Sequence, residues 1–279
     1  MSLANEPVPA AFFVRDGDDF VPTWIAQGPW GSTVSGYVVG GILAWAIERD
    51  AADHELQPAR LTVDLLRPTT LEPLRVQTVV SRQGRRIRLV DAQLTQKDRV
   101  VARASALFLG RSEQPPDEVW SSPIAMPPLP AEPEDLPDGA HTDRAHMFFW
   151  SYGRDPVAGS PGIGMTEWQQ ADGPKFAWLR ETNPIVDGDP LTPFTRAAMA
   201  GDVTSSLTHW GTGGLKFINA DYTVTLSRLP DGPHIGLAAL THYSHAGVAT
   251  GVATIFDRHG PIGSGMATAI ANPGFRPPF

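Results

Sequence analysis

The stretch ARLTVDLLRP, residues 59–68, alternates strictly, with Leu61, Val63 and Leu65 on one side and Arg60, Thr62 and Asp64 on the other. Successive side chains of an extended chain point to opposite faces, so this pattern predicts a strand with one face buried and one wet. A second stretch, DYTVTLSRLP at residues 221–230, does the same, setting Tyr222, Val224 and Leu226 against Thr223, Thr225 and Ser227. One shift of 161 residues lays Leu61 on Tyr222 and Arg67 on Arg228. The same shift carries Asp98 of a turn onto His259 of DRHG, and Gly40 and Gly41 of a helical stretch onto Gly201 and Asp202. A single offset that aligns helix, strand and hairpin in order marks an internal duplication.

Around these anchors each half reads alike. VVGGILAWAIER (residues 38–49) is helical in character and is followed by strands in RVQTVVSRQG, RRIRLVDAQLTQKDR and VVARASALFLG, with turns at Gln83-Gly84 and Lys97-Asp98. In the second half TRAAMAGDVTSSLTHW precedes strands in HIGLAALTHYS, GVATGVATIFDRHG and PIGSGMATAIA. Between the halves lies SEQPPDEVWSSPIAMPPLPAEPEDLPDGA, whose closely spaced prolines fit neither a helix nor a central strand. The expected organisation is therefore an N-terminal unit over residues 1–112, an extended connector over 113–140 and a C-terminal unit over 141–279. In each unit a sheet wraps around a helix whose small residues (Gly40, Gly41 and Ala44; Ala197, Ala200 and Gly201) permit close packing, and the two units pair.

Composition narrows the functions. The 279 residues are 42% apolar and 19% charged, which suits a globular chain. There is no cysteine, hence no disulfide, thiolate nucleophile or Cys-held metal. A formal charge of −8 argues against nucleic acid as a partner. The first twenty residues lack the basic and apolar runs of a secretion signal, and no stretch is long and apolar enough to span a membrane, so the expected location is cytoplasmic. His242 and His245 are spaced for opposite faces of a strand, no G-x-S-x-G occurs, and GSPGIG (residues 159–164) lacks the context of a phosphate loop, so the expected site holds neither metal nor cofactor.

The segments GPWG…VSGYVVGGILAWAIER and PARLTVDLLRPTTLEPLRVQTVVSRQGRRIRLVDAQLTQKDRVVARASALFL resemble the thioesterase-like superfamily, double hotdog proteins related to bacterial acyl-CoA thioesterase II. GDPLTPFTRAAMAGDVTSS, FINADYTVTLSRLPDG and DRHGPIGSG continue the likeness through the second half. The resemblance implies an α+β tandem double hotdog, in which two antiparallel sheets each wrap around a long helix and pack as an intrachain pseudo-dimer. It also implies an acyl-CoA or related thioester ligand bound where the halves meet. In such relatives an Asp, a Thr and a Gln hold the water that attacks the thioester carbonyl. The Asp falls on Asp202, the Thr position on Asn219, and the Gln position on Ala267 or Thr268, so the third partner is at best the shorter hydroxyl of Thr268.

Read without the resemblance, Asp202 could equally cap a helix restarting at Val203 or sit in solvent, although its helical neighbours Ala198, Ser205 and Ser206 are small and uncharged. Asn219 could simply open a strand. Where the second half has Asp202 and Asn219 the first has Gly41 and Pro58, so one such site can be assembled. Gly36 and the helix start after it could present N–H groups to a developing oxyanion, while Trp30, Tyr37 and Trp45 are the aromatics expected to line an apolar acyl tunnel. The leading expectation is thioester hydrolysis by Asp202, Asn219 and Thr268. A hotdog protein that binds acyl-CoA with little or no turnover is the alternative, and an exposed sheet edge or face could pair further into a homo-oligomer.

Overall fold

A computed structural model describes residues 9–51, 55–121, 124–129, 147–153, 172–272 and 274. A hairpin, β1 (Phe13–Asp16) and β2 (Asp19–Pro22), leads through a 3-10 turn (Trp24–Ala26) into helix α1 (Gly36–Asp50). Four strands come next: β3 (Leu56–Leu65), β4 (Arg75–Gln83), β5 (Ile87–Gln96) and β6 (Arg99–Gly110). After the connector come β7 (Met147–Tyr152), β8 (Phe176–Glu181), helix α2 (Pro193–His209), the short pair β9 (Trp210–Gly211) and β10 (Gly214–Leu215), and then β11 (Phe217–Leu226), β12 (His234–His245), β13 (Val248–Asp257) and β14 (Gly260–Ala271).

The two meanders expected from the alternating patterns run into a single ten-stranded antiparallel sheet, ordered β4-β5-β6-β3-β11-β14-β13-β12-β8-β7. The seam is β3 against β11, in register Tyr222 with Val63 and Val224 with Leu61. At its centre Thr62 faces Thr223, their hydroxyls 3.0 Å apart and their numbers separated by 161. A residue that pairs with its own copy lies on the axis relating the halves, so the seam itself embodies the duplication. Strands β3, β5 and β6 recur 161 residues later as β11, β13 and β14, terminus for terminus. Strands β7 and β8 stand before α2 as β1 and β2 stand before α1, and the sequence patterns predicted neither pair. β8 lies along the start of β12 (Leu179 with Ile235), where β2 meets the start of β4 only through Phe20 and Leu74.

Helix α1 is buried continuously from Val38 to Ile47, because it lies under the sheet on one side and against α2 on the other. Its glycines supply clearance. A Cβ on Gly40 would fall 1.6 Å from the Tyr222 hydroxyl, and one on Gly201 of α2 would fall 2.2 Å from Val224 Cγ2. α2 begins with Thr192, whose hydroxyl accepts the Thr195 N–H at 3.0 Å, followed by Pro193, a start that satisfies a free donor and pre-sets the first turn. Part of the connector is described. Residues 124–129 dock Ile124 and Met126 on a small cluster around Trp178 and Phe256, and Trp178 Nε1 donates to the Pro127 carbonyl at 2.9 Å. Residues 130–146, and the glycine-rich 159–164, lie outside the described residues. Among the described residues no helix is long and apolar enough to cross a membrane.

Candidate active site

Asp202 sits in the middle of α2, which runs through it without a break, so it does not cap a restarting helix. Its carboxylate instead meets the N-terminus of α1. Ser35 occupies the cap position of α1 but makes no side-chain cap bond, and the Tyr37 N–H hydrogen-bonds Asp202. The acid is therefore a cap supplied by the other helix, placed where free N–H groups and the helix dipole favour negative charge. Gly36 makes this approach feasible, since a Cβ there would stand 2.5 Å from Asp202 Oδ1. This arrangement changes the expected role of the α1 start. Its Tyr37 N–H is committed to orienting the carboxylate and is not free to meet an oxyanion.

Asn219 reaches the same carboxylate, donating from Nδ2 to Asp202 Oδ1 at 2.7 Å. Simple alternation would set Asn219 on the same face as Asp221, away from the helices. Between them the register with β14 slips: Asn219 pairs with Ala269, Asp221 with Thr268, and Ala220 is left as an extra residue. Such a bulge inserts one residue on one strand and reverses the in–out alternation on either side of it, and it turns Asn219 inward. β3 carries the same slip between Pro58 and Arg60, where the side chain at the Asn219 position is a proline.

Burial raises Asp202 to about 6 from an ordinary 3.8, against the opposing pull of the Asn219 amide and the Tyr37 N–H. It is partly buried by surface area, so water can still reach it. A carboxyl titrating there is largely ionised at neutral pH yet basic enough to accept a proton from water.

Thr268 is not brought to this group. It lies exposed on the outer face of β14, where its N–H donates to Asp221 Oδ1 at 2.9 Å and its hydroxyl bonds the same oxygen. The inward positions flanking it are Ala267 and Ala269, at 1% and 3% exposure, so no side chain longer than a methyl points from β14 toward Asn219.

A narrow cleft is lined by Tyr37, Leu179, Glu181, Met199, Val203 and Ile235. Asp202 does not line it, and Tyr37, whose N–H bonds Asp202, is the residue the two share. The Tyr37 ring meets Phe12 edge-on at 5.8 Å, and its hydroxyl titrates well above the usual range through burial and the nearby charges of Glu181 and Asp202. Glu181 was not among the expected site residues. It closes β8, a strand buried at every position, and its Oε1 accepts the N–H groups of Thr182 and Asn183, each at 2.9 Å. Its Oε2 is buried without a hydrogen-bond partner among the described residues, and burial pushes the group to about 8 despite those two N–H groups and Arg196. Two charged residues ending the short apolar run FAWL were the visible signal, but ahead of the helices the 161-residue offset is not kept, so nothing aligned them.

The other expected aromatics lie elsewhere. Trp45 is near the far end of α1, its indole N–H donating to Asp189 Oδ2 at 3.0 Å and its ring flanked by the Arg15 and Arg49 guanidinium groups. Trp30 belongs to the loop before α1, closed by the Gln27–Val34 bridge, and does not line the cleft. Of the residues expected at the site, Asp202, Asn219, Gly36 and Tyr37 are gathered. Thr268, Trp30 and Trp45 are not.

Solved structures place this architecture in the hotdog class. A hot dog fold protein from Alicyclobacillus acidocaldarius superposes with a TM-score of 0.65 at 18% identity, covering 97% of each chain. The tesB protein of Mycobacterium avium subsp. paratuberculosis gives 0.62 at 17% identity over 94% of this chain and 96% of that one. The acyl-CoA thioesterase II TesB2 of Mycobacterium marinum gives 0.61 at 16% over 94% and 95%. At these identities the likeness is one of fold. The sequence itself narrows the class: residues 25–109 match the acyl-CoA thioesterase N-terminal domain and residues 126–270 the C-terminal domain. The chain belongs to the acyl-CoA thioesterase family. A search of curated proteins finds no match to it.

Proposed function

We propose that the chain is a tandem double hotdog that hydrolyses an acyl-CoA thioester with a water oriented by Asp202 and Asn219. The observation that carries this reading is the pairing of the two side chains at 2.7 Å at the head of α1, with the acid raised to about 6. In the ionised form Asp202 takes a proton from the water as its oxygen attacks the thioester carbon. The tetrahedral adduct then expels the thiolate, which receives that proton, so a C–O bond forms, the C–S bond breaks and Asp202 is restored. Asn219 fixes the carboxylate through its amide donor and presents its own oxygen to the water. The cleft walled by Tyr37, Leu179, Met199, Val203 and Ile235 has a volume of about 20 Å³, room for a water, so an acyl chain enters there only as these apolar side chains move apart. No cofactor or metal enters this scheme.

A second reading has its own support. The methyls of Ala267 and Ala269 stand where a third water-holding group would point, which favours acyl-CoA binding with little turnover. Free-CoA release from acyl-CoAs of graded chain length separates the two. Turnover by the wild type that falls at least a hundredfold in Asp202→Asn supports hydrolysis, whereas saturable binding with no release in the wild type establishes the binding protein.

A further inference from the structure

The tips of the two equivalent hairpins bear the same architecture but pair their cations differently. In the second half, Arg228 is bridged to Asp257, with Nη2 to Oδ1 at 2.7 Å, and Asp257 also accepts the N–H groups of Asp231 and His259, each at 2.9 Å. Arg258 Nη2 and His259 Nε2 both reach Asp231 Oδ2, at 2.6 and 2.7 Å. Burial acts to raise Asp257, but the Arg228 guanidinium and those N–H groups hold it at about 2. Both guanidinium groups of this tip are met by an acid.

Shifted back by 161 residues, the two acids become neutral. Asp257 corresponds to Gln96 and Asp231 to Thr70, while the cations persist as Arg67 and Lys97 and a third, Arg99, is added. Gln96 keeps the structural half of the role. Its Oε1 accepts the Thr70 N–H at 3.0 Å, as Asp257 accepts that of Asp231, and its amide donates to the carbonyls of Thr70 and Glu72 at 2.9 and 2.7 Å. The turn is preserved and these two positions lose their charge, while acids stand instead at Glu72 and Asp98, where the second half has Pro233 and His259. Exposed Arg67 is left with one bond, to the Val100 carbonyl at 2.8 Å, and exposed Arg99 has no hydrogen bond or ion pair among the described residues. Lys97 is met by Glu72 at 2.7 Å. These side chains line one open surface groove, with three cations to one acid on a chain whose net charge is −8.

The groove adjoins the site. The Val34 N–H donates to the Thr69 carbonyl at 2.8 Å and Thr33 pairs with Thr70, so the groove wall is hydrogen-bonded to the loop that enters α1 at Gly36. Two residues of extended chain, at most about 7 Å, separate Val34 from Gly36. We infer that this groove docks the phosphates of the coenzyme, the pyrophosphate and ribose phosphate of a CoA thioester, with Arg67 and Arg99 as the principal contacts. The inference rests on the reading that the ligand is a CoA thioester. It adds that the first half alone holds the nucleotide end, because only there are guanidinium groups, Arg67 and the added Arg99, left without an ion pair among the described residues. Guanidinium groups with free donors suit phosphate oxygens by charge and by fork geometry.

Two variants test it. Arg67→Ala/Arg99→Ala removes the contacts, and Gln96→Asp places a carboxylate beside the cations at the position Asp257 holds in the second half, with its fold checked by unfolding because the donors to the Thr70 and Glu72 carbonyls are lost. Steady-state kinetics on an acyl-CoA and on the matching acyl-pantetheine, which lacks the nucleotide, should show KM for the acyl-CoA raised about tenfold in either variant, with kcat and the acyl-pantetheine kinetics unchanged. Calorimetric titration with adenosine 3′,5′-bisphosphate provides a readout independent of turnover. Wild-type binding that weakens about tenfold in both variants supports the groove even if no thioester is cleaved, in which case hydrolysis alone fails. Absence of nucleotide binding by the wild type, or equal losses on acyl-CoA and acyl-pantetheine, overturns the inference.

Discussion

Replacing Asp202 by Asn should weaken the enzyme and strengthen the fold, and the pH dependence of the second effect is diagnostic. Asp202 titrates at about 6 in the folded chain against 3.8 ordinarily. A raised carboxyl contributes its full stability below 3.8, where both states are protonated, and that contribution is lost as pH rises through 6. At pH 7 the shift of about two units corresponds to about 3 kcal/mol of stability surrendered to keep an ionised acid there. Asparagine is uncharged at every pH and avoids that loss, but it meets the Asn219 amide and the Tyr37 N–H with one acceptor oxygen in place of two, at a cost of about 1 kcal/mol. The variant should thus be about 2 kcal/mol more stable than the wild type at pH 7 and about 1 kcal/mol less stable at pH 3.5. Urea unfolding at the two pH values reads this directly, and the melting temperature at pH 7 should rise by about 5 °C. Over the same range wild-type kcat/KM should climb to a plateau through about pH 6, and the variant should lose 10²–10⁴ in kcat, the usual worth of a positioned base. If Asp202→Asn instead loses about 1–2 kcal/mol equally at both pH values and keeps its turnover, the carboxylate is only a borrowed cap for α1, and the site assignment falls.

Gly36→Ala should spare the fold and damage the site. Alanine is favoured over glycine in a helix by about 1 kcal/mol, but its methyl would displace an Asp202 oxygen 2.5 Å away, so kcat should drop at least about tenfold with an unchanged or higher melting temperature. Gly40→Ala should do the reverse, because the obstruction there is the buried Tyr222 ring, whose hydroxyl is tied to the Ala198 carbonyl at 2.9 Å. Overpacking of about 1–3 kcal/mol should appear as a lower denaturation midpoint. Glu181, raised by burial from 4.5 to about 8, makes the wild type lose stability as pH increases from 4.5 through 8, at about 1.4 kcal/mol per unit. Glu181→Gln, which retains an oxygen for the Thr182 and Asn183 N–H groups, should flatten that slope in pH-resolved unfolding. An unchanged slope would show that the carboxyl titrates normally.

The duplication was legible because a strand has a period of two, and one shift must then match whole faces, as it does at Thr62 and Thr223. The candidate acid was legible for the same reason, as the charge standing opposite Gly41. Two features were hidden by local geometry. The bulge at Ala220 adds a residue without any turn signal, and only that residue brings Asn219 to face the helices. On β14 the hydrophobic pattern points the wrong way. Met266 and Ile270 are 44% and 57% exposed, while Ala267 and Ala269 lie inside, because α2 lies so close that a Cβ on Gly265 would fall 2.2 Å from Thr204 Oγ1. Where a helix presses on a sheet, small side chains go in and large ones go out, and Thr268 leaves with Met266 and Ile270. Glu181 was out of reach for a different reason: the strands before the two helices do not keep the 161-residue offset, Phe20 pairing with Leu74 where Leu179 pairs with Ile235.

The asymmetries between the copies are not scattered. α2 closes its own N-terminus with Thr192, whereas α1 leaves its own open and receives Asp202 there. The second hairpin neutralises its own cations, whereas the first exposes Arg67 and Arg99. In both places the second half is internally satisfied and the first is not, and both open places lie at the entry to α1, joined through the pairing of Thr33 with Thr70. A duplicated fold needs one set of groups to bind and another to react. Leaving donors and cations uncompensated in one copy, while the other supplies the acid across the seam, meets both needs at a single location. The separation makes a joint prediction: Arg67→Ala/Arg99→Ala and Asp202→Asn should act independently, the first on KM and the second on kcat, with their free-energy effects adding to within about 0.5 kcal/mol in the combined variant. Strong non-additivity would mean that the groove and the acid are parts of one contact network and that the division of labour between the copies is wrong.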